Sequence, residues 1–186
     1  MKFKKLGTTD LDVSLICLGT MTWGTQNSEK EAYEQMDYSV DQGINFFDTS
    51  DVYGDGRSEK FLGELLKSTT KKFFVTTKAG LRLQPFVPED YNILNFEKFI
   101  DRSLKNLGIE CIDLLQLHCP PSELCSKKEI YEMMDRFVQK GKIRSYGVSV
   151  FKIEEAMQAI QFPNVKSIQI IFNIFRQRPA EQFLRE

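Results

Sequence analysis

Four side chains able to hold or move a proton lie at or just past the C-terminal ends of strand-like runs. Asp48 and Tyr53 belong to GINFFDTSDVYG, Lys78 closes FFVTTKAG, and His118, the only histidine of the chain, closes IDLLQLHCP. In a parallel β/α barrel, side chains at these strand ends converge on a single bowl where catalysis takes place. Taken singly, each has a plain structural reading. Asp48 suits a turn or helix cap in DTSDVYGDG, Tyr53 an amphipathic surface, Lys78 solvent, and His118 a satisfied loop position before Cys119–Pro120–Pro121. Their joint placement on successive strand ends reverses those readings and points to an enzyme active site.

The elements that must position these residues alternate regularly. A hairpin opens the chain, with KFKKL and LDVS joined by a turn over residues 7–10. Strand-like runs then cover residues 15–18, 44–47, 73–77, 112–117, 143–148 and 167–171, and helix-like segments cover 28–42, 58–68, 95–107, 126–140 and 152–161. Ser28 and Glu31 form a capping-box pattern, Ala32, Met36 and Val40 recur every four residues, and Gly43 ends the segment. Apolar stripes on the third and fourth helices end at Gly108 and Gly141 and read as core. Strict alternation implies βα crossovers and a parallel sheet. Residues 80–92, with Pro85 and Pro88, form a loop on the face that carries the candidate site.

At about 31 residues per βα unit, 186 residues hold about six of the eight units of a (β/α)8 TIM-type barrel. The terminal RPAEQFLRE starts a helix, with Pro179 suited to its first turn, and stops after about two turns. The expectation is a single domain over residues 1–186 that forms an incomplete barrel. A net charge of −1 without a basic stripe argues against nucleic acid or a membrane surface as partner. Asp10 and Asp12 interrupt the apolar run after the first lysines, so the start reads as mature protein, and the chain is expected in the cytoplasm. Cys17 and Cys111 are expected as buried small hydrophobes beside strands. Cys119 and Cys125 lack metal-ligand spacing, and no metal site is expected. Cys119, next to His118, could be a reactive thiol. Asp51 and Asp55 read as turn residues, YGDGRSEKFLG as a turn feeding a helix whose N-terminus Ser58 and Glu59 serve, and Trp23 as either substrate wall or packing.

Five segments in order, LGTTDLDVSLICLGTMTWG, GINFFDTSDVYGDGRSEKFLGELL, TKAG, IDLLQLHCP and GKIRSYGVSVF, resemble the aldo-keto reductases, and among them a Tas-like bacterial branch. The resemblance runs over essentially the whole chain and implies an NADPH-dependent barrel enzyme that reduces aldehydes or ketones to alcohols. It carries the family's catalytic tetrad onto Asp48, Tyr53, Lys78 and His118, and nicotinamide binding onto Gly19, Thr20, Met21, Asp48, Ser149 and Gln169. Val150 and Phe172 replace an asparagine and a tyrosine common in the family. In that family the loops after the seventh and eighth strands hold the pyrophosphate and the 2′-phosphate, and the resemblance implies that both lie past the six units expected here.

The implied chemistry is coherent. Carbonyl reduction needs a positioned hydride donor and an acid aimed at the developing oxyanion. Tyr53 would supply the proton, the Lys78 cation would lower its pKa, Asp48 would hold Lys78, and His118 would donate a hydrogen bond to the carbonyl. Two other readings stay open. Barrels resembling this family also act as non-catalytic subunits that sense a nicotinamide cofactor, and an incomplete barrel can be inactive.

Overall fold

The computed structural model describes residues 1–68 and 70–184. It opens with a hairpin, β1 (Phe3–Lys5) against β2 (Asp12–Ser14). Six parallel strands follow: β3 (Leu18–Gly19), β4 (Phe46–Asp48), β5 (Phe74–Ala79), β6 (Ile112–His118), β7 (Ile143–Val150) and β8 (Val165–Ile170). Each strand pairs with the next in sequence, so every crossover advances the sheet by one strand in the same direction. The result is a curled α/β half-barrel. Its crossovers carry α1 (Glu29–Asp41), α2 (Arg57–Ser68), α3 (Ile93–Leu107), α4 (Lys128–Gln139) and α5 (Ile153–Ala159), and α6 (Arg178–Gln182) follows β8. Arg185 and Glu186, the end of the expected terminal helix, lie outside the described residues. Among the described residues no helix is long and apolar enough to cross a membrane.

Local chemistry explains the elements. The capping box forms at α1: Glu31 N–H donates to Ser28 Oγ at 3.3 Å, and Ser28 N–H to Glu31 Oε2 at 2.8 Å. Helix α3 starts at Ile93, two residues earlier than its apolar stripe suggests, because Asn92 caps it through Asn95 N–H. It stops at Gly108, whose φ of 66° is left-handed. The strands bury Phe47, Val75, Leu115, Leu117 and Val148 against the helices. A second cluster of Leu11, Val13, Phe46, Phe74 and Leu114 lets the hairpin plug the N-terminal end of the sheet. Each such side chain contributes about 1.5–3 kcal/mol by leaving water, which anchors the hairpin to the base of the half-barrel.

Several expectations are corrected. The first strand is only Leu18–Gly19, and Leu15 and Ile16 are exposed because β3 is an edge with a partner on one side only. Cys17 is exposed for the same reason, and Cys111 is half-buried. Trp23 is fully buried and its indole N–H donates to Gln35 Oε1 at 2.8 Å, so it packs and does not form a substrate wall. The turn before α2 is as expected, with Gly54, Asp55 and Gly56 all at positive φ. Ser58 and Glu59, however, point inward. Ser58 Oγ meets Thr49 Oγ1 at 2.9 Å and donates to the Thr20 carbonyl, while Glu59 accepts from Thr77 and Asn106. They tie α2 to the strands and to α3, and Glu59 is also the acidic residue of the first turn of α2.

Candidate active site

Parallel register places the candidate residues on neighbouring strands. Asp48 is the last residue of β4, Lys78 the penultimate residue of β5, and His118 the last residue of β6, opposite Ser149 of β7, which in turn faces Gln169 of β8. Tyr53 enters from the turn that follows β4.

Lys78 is the hub. Its side chain is 2% exposed, and its Nζ donates to Asp48 Oδ1 at 2.6 Å, to the Thr49 carbonyl at 3.0 Å and to the Tyr53 hydroxyl oxygen at 3.5 Å. A buried ammonium needs such partners, because an unpaired one loses several kcal/mol of hydration. Gln169 Nε2 donates to the other Asp48 oxygen at 3.3 Å, so the carboxylate is held from two strands. Behind it Thr20, fully buried, donates through both its amide and its hydroxyl to the Asp48 carbonyl. Thr20 therefore supports Asp48 from behind the rim, whereas Gly19 and Met21 are exposed on it. The Tyr53 and His118 rings meet edge to face with centroids 5.9 Å apart, and His118 Nδ1 lies 2.9 Å from Ser50 Oγ. All four proposed tetrad members thus lie within one contiguous cluster.

The electrostatics differ from the sequence expectation at Tyr53. Burial, and then the Asp48 charge, push its hydroxyl up to about 12, whereas the Lys78 cation was expected to lower it. Asp48 neutralises Lys78 at 2.6 Å, and desolvation penalises the phenolate. Tyr53 is therefore protonated at neutral pH. Burial, reinforced by the Lys78 charge, drives His118 down to about 4, so its ring is neutral. Burial likewise raises the Cys119 thiol, which keeps it protonated.

Two residues near the cluster were missed in sequence. Asp51, read as a turn former, is fully buried, and Ser50 beside it contacts His118. The one signal available was their position inside the same DTSDVYG motif. Asp55 does stay at the surface, where Arg82 and Arg102 pair with it at 2.8 and 2.9 Å. Among the cofactor candidates, Gln169 Oε1 is a buried acceptor with no hydrogen-bond partner among the described residues, and Ser149 is half-buried beside it. Val150 is buried and Phe172 is exposed.

The structure is thus a parallel β/α half-barrel with an aspartate–lysine–tyrosine cluster and a histidine at its C-terminal rim, the rim on which barrel enzymes build their active sites. The family follows from comparison. Residues 15–185 match the model of the aldo/keto reductase family, and the chain belongs to that family. It is 33% identical to the uncharacterized oxidoreductase YqkF of Bacillus subtilis, over 97% of this chain and 59% of that protein. It is 30% identical to protein tas of Escherichia coli, over 80% of this chain and 52% of that protein. The aldo-keto reductase AKR11C1 from Bacillus halodurans, solved in its holo form, superimposes with a TM-score of 0.85 at 32% identity, covering 97% of this chain and 61% of that one. The chain thus spans between 52% and 61% of the length of these proteins. The family couples NAD(P)H to oxidoreduction of small carbonyl compounds.

Proposed function

We propose that this chain carries the proton-transfer half of an NADPH-dependent reductase that converts aldehydes or ketones to alcohols. The observation that carries the reading is the buried Lys78 ammonium, held between the Asp48 carboxylate and the Tyr53 hydroxyl.

Bound NADPH would supply the hydride. The residues present fit a nicotinamide carboxamide: Gln169 Oε1, without a hydrogen-bond partner among the described residues, can accept from its amide N–H, and Ser149 stands beside it on β7. Gly19 and Met21 border the same rim. With Val150 in place of an asparagine, the carboxamide relies on Ser149 and Gln169.

Tyr53 donates its proton to the carbonyl oxygen as negative charge develops there. Its hydroxyl stays protonated up to about 12 and gives the proton up only to a much stronger base, which the incipient alkoxide is. Lys78 then stabilises the tyrosinate, with Asp48 keeping the lysine in place. His118, neutral, donates a hydrogen bond from Nε2 to the same carbonyl oxygen and fixes its orientation.

The test is turnover of 4-nitrobenzaldehyde with NADPH by the full chain and by Tyr53→Phe. The variant should lose roughly 100-fold or more in kcat while keeping its affinity for NADPH. Equal turnover in Tyr53→Phe removes the acid role. Tight NADPH binding with no turnover by the parent chain replaces the reductase with a nicotinamide-sensing subunit.

A further inference from the structure

Beneath His118 lies a buried carboxyl that the proposed chemistry does not use. Asp51 is 0% exposed, its Oδ2 has no hydrogen-bond partner among the described residues, and its Oδ1 lies 3.3 Å from Ser50 Oγ. That hydroxyl is in turn 2.9 Å from His118 Nδ1 and 3.3 Å from the Lys78 carbonyl, and the Val52 amide approaches it at 3.4 Å. The segment is pinned: Asp51 N–H donates to the Lys78 carbonyl at 3.2 Å, and Arg82 donates to the Asp51 carbonyl at 3.1 Å. Asp51, Ser50 and His118 therefore form an unbroken line from a buried acid to the imidazole at the rim.

We propose that Ser50 and Asp51 are positioning residues that decide which ring nitrogen of His118 carries its proton, and that the protonation state of Asp51 switches the choice. A hydroxyl has one proton to give. With Asp51 protonated, the carboxyl donates to Ser50 Oγ, Ser50 donates to Nδ1, and the histidine proton resides on Nε2, which faces outward as a donor. With Asp51 ionised, Ser50 O–H donates a hydrogen bond to its carboxylate, Ser50 Oγ accepts from Nδ1–H, and the histidine proton resides on Nδ1. The net change is one proton lost from Asp51 to water. The Asp51 proton passes to Ser50 as the Ser50 proton passes to Nδ1, and the Nε2 proton leaves to water, so the imidazole carries one proton before and after. The inference rests on the reading of His118 as the donor to the carbonyl oxygen, because only the Nε2–H form can serve in that role.

The surroundings place the switch in an accessible range. Burial, then the charge of Glu59 on α2, raises Asp51 to about 7, against the lowering effect of Arg82 from the loop after β5, the Ser50 hydroxyl, and Arg102 of α3. Tyr91 of the same loop feels the Asp51 charge in return. His118 faces Lys78, the edge of Tyr53 and Ser50, and stays neutral across this range because it titrates only near about 4.

The single histidine makes the test clean. The full chain is labelled with 15N-histidine, and long-range proton–nitrogen NMR spectra are recorded from about pH 5.5 to about pH 8.5. The expected result is an Nε2–H tautomer at the acid end that gives way to Nδ1–H with a midpoint near 7. Asp51→Asn should remove this pH dependence, and Ser50→Ala should uncouple the tautomer from Asp51. One unchanging tautomer across the range in the parent chain overturns the inference, whatever the variants do. No turnover is needed, so the two readings fail separately. A chain that reduces aldehydes with a fixed tautomer sinks the switch alone, whereas a switching chain that binds NADPH tightly without turnover upholds the wiring and sinks the reductase.

Discussion

Lys78 and Asp48 illustrate how a buried ion pair is judged residue by residue. The two charges meet at 2.6 Å, Lys78 is nearly inaccessible, and the pair is completed by the Thr49 carbonyl and by Gln169. Removing one member strands the other charge, which costs more than the pair itself contributes. Asp48→Ala should therefore destabilise the chain by about 3–5 kcal/mol in urea unfolding. Asp48→Ala combined with Lys78→Met should recover much of that loss, because the replacement is apolar and of similar length. A double variant as unstable as the single one would show that packing at Lys78, and not its charge, sets the cost. At this scale the sequence was informative about identity and silent about environment. That Asp48, Tyr53, Lys78 and His118 come together was legible because each lies at or just past the end of a recognisable strand motif. The burial of Asp51 was not, since α2, α3 and the 80–92 loop create it by packing over a segment that locally resembles a turn.

Elements hold these residues through close approach of backbones. Gly63 on α2 shows it: a Cβ there would come within 2.6 Å of the Asn106 carbonyl and 2.9 Å of the Leu107 carbonyl on α3. The contact lets α2 lie against α3 closely enough for Glu59 to reach Asn106 at 2.9 Å. Gly63→Ala should push the helices apart, lowering stability by roughly 1–3 kcal/mol in thermal or urea unfolding despite the higher helix propensity of alanine. A neutral or stabilising effect would mean that the two helices separate freely. Helix positions were readable in advance because caps and apolar periodicity are local, as in the Ser28–Glu31 box and the Gly108 stop. Strand ends were harder to fix. The run at 15–18 reads as a strand, yet only Leu18 and Gly19 pair, because pairing depends on a neighbour that no local pattern reveals.

At the scale of the whole molecule, two buried titrations act on the folding equilibrium in opposite directions. Asp51 rises from an ordinary 3.8 to about 7 on folding, so between those values the native chain holds a proton that the unfolded chain has released. Stability from this group is full below about 4 and falls as pH rises toward 7. His118 falls from 6.5 to about 4, so between those values the unfolded chain binds the extra proton, and stability rises with pH across that window. Where the windows overlap the two slopes oppose each other, and the contribution of the pair to the pH dependence of unfolding is shallow. Asp51→Asn removes one side of the balance. The variant should gain stability over the parent above about pH 7, by roughly 1–3 kcal/mol, because an ionised buried carboxylate is no longer required. Its stability should also climb more steeply than the parent's from about pH 4 to about pH 6.5, with His118 unopposed. Urea unfolding of both chains at several pH values reads both effects. Parallel curves for parent and variant would mean that Asp51 titrates alike in the folded and unfolded chain, and that its burial carries no protonic cost.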